Sequence, residues 1–187
     1  MLLWLYRFAG PENRLSAGDT LWDIGFRSSS KLTNVQTRGF TMEFPEGSFF
    51  ISNVASGLVL DVKGASTQPG TAITFEDRKP SGATSSQLWK YDSGFLVNTN
   101  SGLVLEVEGY EGGGQISPGS ALVQAERRQQ PHSLNQLWAY NYQHLMPYDP
   151  RVCVQGKDGK ADPAGTAAVA DSLRMNEPTQ QWMFKPQ

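Results

Sequence analysis

The chain has 187 residues, 39% hydrophobic and 18% charged, enough for one domain with its own core plus an extension and too few for two generous domains. A net charge near −2, with Lys and Arg dispersed apart from the pairs Arg78-Lys79 and Arg127-Arg128, leaves no electrostatic footprint for nucleic acid. No stretch approaches the roughly 20 apolar residues of a membrane span, so no membrane insertion is expected, and the single Cys153 rules out an intrachain disulfide.

The opening run, Met1 to Arg7, is shorter than a signal-peptide core, has no basic residue ahead of it and precedes no small-residue cleavage site. The expected localisation is therefore cytoplasmic or non-classically secreted. Residues 1–45 read as an N-terminal extension. In it Trp22, Ile24 and Phe26 alternate with Asp23, Gly25 and Arg27, and Phe40, Met42 and Phe44 alternate with Thr41, Glu43 and Pro45, which predicts two strand-like pieces. Their apolar content suits a hairpin packed on the rest of the chain, a homo-oligomer contact or attachment to a larger polypeptide.

From residue 46 onward, short runs of Val, Ile, Leu and Phe between Gly and Pro predict an all-β chain of many short strands. Ser56-Gly57-Leu58-Val59-Leu60-Asp61-Val62 recurs as Ser101-Gly102-Leu103-Val104-Leu105-Glu106-Val107, with a degraded third copy at Pro150 to Gln155. Pro69-Gly70-Thr71, Pro118-Gly119-Ser120 and Ala164-Gly165-Thr166 follow in the same order. Each unit then closes on Gln-x-Trp, at Gln87-Leu88-Trp89, Gln136-Leu137-Trp138 and Gln180-Gln181-Trp182, with tryptophan spacings of 49 and 44 residues. Thirteen Gln and five Trp would place about 0.3 such triplets by chance, so the three mark an internal repeat, with units at about 47–94, 95–143 and 144–187.

These motifs resemble those of the ricin B-type lectin family over about three quarters of the chain. The resemblance implies an all-β fold, a β-trefoil of three repeats spanning 46–187, in which six strands close a barrel and three hairpins cap one end. It implies that Trp89, Trp138 and Trp182 lie under the cap and that each Gln amide satisfies backbone groups where a loop enters a strand. It also implies non-catalytic recognition of glycans or glycoproteins. In that family an acid after the Leu-x-Leu strand and an Asn before the Gln hold sugar hydroxyls, and an aromatic plate beyond the Gly-Thr turn meets the C–H face.

Carried over repeat by repeat, the first supplies Asp61 as the acid, with Glu76 at the plate position, Phe75 beside it as a substitute plate, and Ser86 before Gln87. The second supplies Glu106, Asn135 and Gln136, with Ala125 at the plate position and Tyr110 in an inserted glycine-rich loop as its replacement. The third reads as silent, with Val154 for the acid, Asp171 at the plate and Thr179 before Gln180. The plain alternative for Asp61 and Glu106 is that each only accepts backbone N–H groups of a turn. An alternative function is a protein-interaction or protease-inhibitor trefoil acting through surface loops, chiefly 108–118 and 126–133.

No cofactor is implied. His132 and His144 stand 12 apart with no ligand partner at metal spacing and are expected on exposed loops. Cys153, in a strand motif, is expected to be a small buried residue and not a nucleophile, and nothing signals an enzyme.

Overall fold

The computed structural model describes residues 43–110 and 115–187. The strand-like piece expected at 22–27 and the first half of the one expected at 40–45 lie outside the described residues, and 43–45 form no strand. Twelve strands follow one another: β1 (Phe49–Asn53), β2 (Val59–Val62), β3 (Ile73–Glu76), β4 (Leu88–Asp92), β5 (Phe95–Asn98), β6 (Val104–Val107), β7 (Ser120–Ala125), β8 (Trp138–Asn141), β9 (His144–Pro147), β10 (Val152–Gly156), β11 (Ala168–Ser172) and β12 (Trp182–Pro186).

Six of them form the barrel. β1 pairs with β12 and β4, β4 with β5, and β8 with β9. The Phe95–Leu137 bridge joins β5 to the start of β8, and the Trp182 N–H donates to the Gln143 carbonyl at 2.8 Å to close the circle. The hairpins β2–β3, β6–β7 and β10–β11 form the cap. This is a β-trefoil.

Local chemistry explains why the sequence motifs recur. Asn53 and Asn98 each turn the chain by accepting two following N–H groups on Oδ1, and Gly57 and Gly102, at φ of +77° and +72°, then take the left-handed conformation before the Leu-Val-Leu strand. In the third repeat Pro147 replaces the Asn, and Asp149 makes the turn instead by accepting the Arg151 N–H. The second glycine motif locks the cap. Gly70 donates to the Gln124 carbonyl, Gly119 to that of Ala170 and Gly165 to that of Phe75, so each hairpin loop bonds the next repeat in a closed cycle.

The core runs along the pseudo-threefold axis. Trp89, Trp138 and Trp182 are fully buried beneath the cap with Phe49, Phe75, Leu60 and Leu105. Two residues further along the same strands, and so further from the cap, stand Tyr91, Tyr140 and Phe184. Phe44 inserts among them, stacked on Tyr91 at 4.1 Å and lying 5.1 Å from Phe184 and 6.1 Å from Tyr140. Phe44, two residues before the boundary expected at 46, thus already belongs to the domain's packing. Burial raises the Tyr91 and Tyr140 hydroxyl pKa values, so both phenols stay neutral. No helix among the described residues is long and apolar enough to cross a membrane.

Two outcomes follow from this packing. Phe44→Ala removes one ring from a four-ring cluster and lowers stability by about 2 kcal/mol in urea unfolding, below the range for fully buried aromatic truncations because Phe44 is only partly buried. The side-chain hydrogen bond from Arg151, aided by the Arg151 and Ile116 N–H groups, holds the Asp149 carboxyl below the usual carboxylate range. Its stabilising contribution is present above the unfolded value near pH 3.9 and is lost as pH falls through the lower folded value. The stability gap between wild type and Asp149→Asn is therefore widest near neutral pH and narrows below about pH 4, as paired denaturation curves will read.

Candidate functional site

The tryptophans set the register for comparing repeats. Their indole N–H groups donate to the carbonyls of Leu60, Leu105 and Val154 at 3.2, 2.9 and 2.9 Å. The following residue on each strand is therefore equivalent: Asp61, Glu106 and Gln155. Val154 is not the third repeat's acid-position residue. It stands one place earlier, in the core with Leu60 and Leu105, because a one-residue slip on a strand moves a side chain to the opposite face.

In all three repeats the Gln of Gln-x-Trp makes the same three bonds. Gln87 Nε2 donates to Asp61 Oδ2 at 3.1 Å and to the Asp77 carbonyl at 2.8 Å. Gln136 Nε2 donates to Glu106 Oε2 at 2.6 Å and to the Glu126 carbonyl at 2.8 Å. Gln180 Nε2 donates to Gln155 Oε1 at 2.6 Å and to the Ser172 carbonyl at 2.8 Å. Each Oε1 accepts a backbone N–H, from Lys79, Arg128 and Arg174 respectively.

Those same three residues turn their cationic side chains onto the acid position. Lys79 Nζ lies 2.6 Å from Asp61 Oδ2 and donates to Ser86 Oγ at 2.9 Å. Arg128 Nη2 donates to Glu106 Oε2 at 2.6 Å and to Asn135 Oδ1 at 3.0 Å. Arg174 Nη2 donates to Gln155 Oε1 at 2.9 Å. Sequence reasoning missed these cations. The signal was the recurrence of two basic pairs, Arg78-Lys79 and Arg127-Arg128, at the same 49-residue spacing as Trp89 and Trp138. The other members of the pairs, Arg78 and Arg127, lie over the Phe50 and Phe95 rings at 4.1 and 4.0 Å.

The clusters differ in access. Asp61 is 2% exposed, and its Oδ1 is sealed from solvent without a partner. Gln155 is fully buried. Glu106, one methylene longer, reaches 8% exposure, and its Oε1 accepts no bond from the described residues. The acids thus bond side chains of the Gln and the cation, not the backbone of a turn. Ser86 and Asn135 are both buried, and Asn135 Nδ2 donates to the Val107 carbonyl at 2.7 Å.

No plate position carries an aromatic ring. Glu76, Ala125 and Asp171 face Val59, Val104 and Cys153 across their hairpins. Glu76 accepts from the Thr74 hydroxyl, and Asp171 accepts from Gln155 Nε2. Phe75 does not substitute as a plate: it alternates with Glu76, points into the core and meets Trp182 edge-on at 5.2 Å. Tyr110 lines a cavity of about 250 Å³ together with Glu108, Gln115, Ile116, Ser117 and Ser120, a lining that includes none of Glu106, Asn135 and Gln136.

His132 is exposed, but His144 is buried on β9, against the expectation of a loop. The repeat register explains this. Gly94 and Gln143 both accept a tryptophan N–H, so His144 occupies the place of Phe95, a buried ring position. Among the described residues no three His, Cys, Asp or Glu side chains gather as a metal-ligand set. Cys153 is fully buried, and burial pushes its thiol up to about 12, with Arg174 opposing the shift only in part.

A threefold barrel whose lobes each join a strand-borne acid or amide, a Gln-x-Trp glutamine and a loop cation defines a β-trefoil of the lectin class. The chain matches the model of the ricin-type β-trefoil lectin domain over residues 47–182 and belongs to that family. None of the curated proteins matches it. Among solved structures it is similar to the mdaA-1 domain, with 26% identity and a TM-score of 0.66 over 78% of this chain and 93% of that one. It is also similar to the C-half of an earthworm R-type lectin solved in complex with GalNAc, with 18% identity and a TM-score of 0.63 over 76% and 100% of the two chains. A Macrolepiota procera ricin B-like lectin in complex with lactose matches at 18% identity and a TM-score of 0.57 over 78% and 100%. At these identities the last two establish the fold alone.

The Cys153 environment gives a direct check. Ellman's reagent near pH 8 leaves the native thiol unreacted and titrates one thiol per chain only after unfolding.

Proposed function

We propose that this chain is a non-catalytic carbohydrate-binding module whose working site is the polar cluster of the second repeat. The observation that carries this reading is the difference in access between equivalent positions: Asp61 is sealed behind Lys79 with its unbonded Oδ1 out of reach of solvent, Gln155 is buried, and Glu106 alone keeps an unbonded oxygen that is not sealed. Beside that oxygen lies the Arg128 guanidinium, which spends only Nη2 on Glu106 and Asn135.

A sugar diol fits this pair. One hydroxyl donates to Glu106 Oε1, and its neighbour accepts from the free edge of Arg128, both as charge-assisted bonds. Asn135 and Gln136 serve by holding the pair in place. Ala125 offers no ring for the sugar's C–H face, so binding is weak, about millimolar, or roughly −4 kcal/mol. Useful attachment then requires several copies of the chain or tethering to a larger polypeptide. The GalNAc, lactose and 6'-sialyllactose complexes of the similar lectins support a glycan as the ligand class.

The second reading is a protein-binding trefoil acting through its surface loops, favoured by the loss of the plate residue in every repeat. A glycan array of the 187-residue chain separates the two. Selective binding that falls at least tenfold in Arg128→Ala and in Glu106→Gln, the latter reproducing the Gln155 arrangement of the third repeat, supports the lectin reading. A blank array from protein with native circular dichroism overturns it in favour of the protein-binding trefoil.

A further inference from the structure

We infer that the third repeat holds a site for a soft monovalent metal ion, Cu(I), built from His144, Met146 and Cys153. It is independent of the function proposed above and shares no residue with that site. Equivalent positions differ here in kind. On the second repeat Phe95, Val97, Val104 and Leu137 pack together, and on the first Phe50, Val59 and Leu88 do the same. In the register set by the tryptophans, those places in the third repeat carry His144, Met146, Cys153 and Gln181. An apolar cluster has become an imidazole, a thioether, a thiol and an amide.

The backbone brings the first three together. β9 and β10 pack side by side. Ser52 pairs with Val59 and Val97 with Val104, and the turn from Pro147 to Cys153 has the same length as those from Asn53 to Val59 and from Asn98 to Val104, so Met146 stands opposite Cys153. His144, two residues before Met146, lies on the same face of β9. His144 and Cys153 are both buried, and His144 Nε2 has no hydrogen-bond partner. A buried nitrogen left unpaired costs free energy that a bound metal ion recovers. Met146 is half-buried and forms the side of the site nearest solvent.

The donor set selects the metal. Thiolate and thioether sulfurs favour Cu(I), whereas Zn(II) takes four N, S or O ligands and Mg(II) or Ca(II) takes oxygens. Among the described residues no third His, Cys, Asp or Glu joins His144 and Cys153 to complete a harder set. The surroundings also admit a cation. Arg78 and Arg127 lie over the Phe50 and Phe95 rings, but the equivalent residue here is the neutral Leu173. The charged groups beside Cys153 are Asp171, opposite it across the β10–β11 hairpin, and Arg174, whose signs offset. On binding, the S–H bond breaks, an S–Cu bond forms and the proton leaves to solvent; copper stays Cu(I) and no electron is transferred. The thiolate cancels the charge of the metal, so no net charge is buried.

The test is an anaerobic titration of the reduced 187-residue chain with the coloured Cu(I) complex of bicinchoninate. The folded chain is expected to withdraw one Cu(I), with a thiolate-to-copper absorption band in the ultraviolet and a shift of the His144 imidazole proton signals. His144→Phe, which restores the ring of the other repeats, weakens binding by roughly tenfold or more, at least what the loss of an outer-shell partner costs a metal site. Met146→Val weakens it less, and His132→Ala leaves it unchanged. The double variant His144→Phe, Cys153→Val copies Phe95 and Val104, keeps the native circular dichroism and takes up no copper. Folded wild type that withdraws no Cu(I) from bicinchoninate overturns the site. So does equal uptake by His144→Phe, the mark of a cysteine binding alone, and so does uptake that survives in the double variant. Should the variants lose their fold, the wild-type signals decide, and His144 resonances unmoved by Cu(I) reject the site.

Discussion

The bonds of one side-chain amide hold each lobe of this fold together. In every repeat the Gln of Gln-x-Trp donates to a carbonyl of the preceding loop, accepts an N–H from the same loop and donates again to the residue at the acid position. Each loop crosses from cap to barrel where its backbone groups would be buried without partners, at a cost of about 1–3 kcal/mol for each lost group. The indole two residues on fixes the other side of the crossing by donating into the hairpin strand. With those ties in place, the cap hairpins, the loop cations and the acids are positioned together.

This is also why the fold was legible in the sequence and the site only partly so. Gln-x-Trp must recur because nothing smaller makes both the amide bonds and the buried ring, and Gly70, Gly119 and Gly165 must recur because the inter-repeat lock needs a left-handed turn residue. Such constraints leave regular marks. The third repeat broke its marks, since Pro147 displaces the turn-forming Asn and Val152-Cys153-Val154 reads equally well in two registers, so the acid position was taken one residue early. Phe75 was misread for the same reason of alternation: beside Glu76 in sequence, it faces the opposite way. Lys79, Arg128 and Arg174 carry no motif. Their backbone N–H does the recurring work, and any residue but proline supplies that.

The pseudo-threefold frame explains substitutions that look unrelated in sequence. His144 holds the place filled by Phe50 and Phe95, which lie beneath Arg78 and Arg127. Leu173 stands immediately before Arg174, where the other repeats have those arginines, so the third repeat has lost both the ring and the cation above it. Phe44 works at the other end of the axis, adding a fourth ring to three contributed one per repeat.

Retention of the acids is therefore a weaker sign of ligand binding than it first looks. A buried carboxylate left alone is costly, whereas one bonded by an amide and a cation is tolerated, so Asp61 with Gln87 and Lys79 is a self-consistent structural unit that needs no sugar. Gln155 makes the point from the other side: with the acid gone, the amide and the cation keep the same bonds. What distinguishes Glu106 is reach, not charge. In both acids the fold occupies one oxygen, but the extra methylene carries the Glu106 carboxylate far enough outward that its second oxygen is not sealed as Asp61 Oδ1 is. On the function proposed above, a single repeat serves both the scaffold and a ligand while its two siblings serve the scaffold alone.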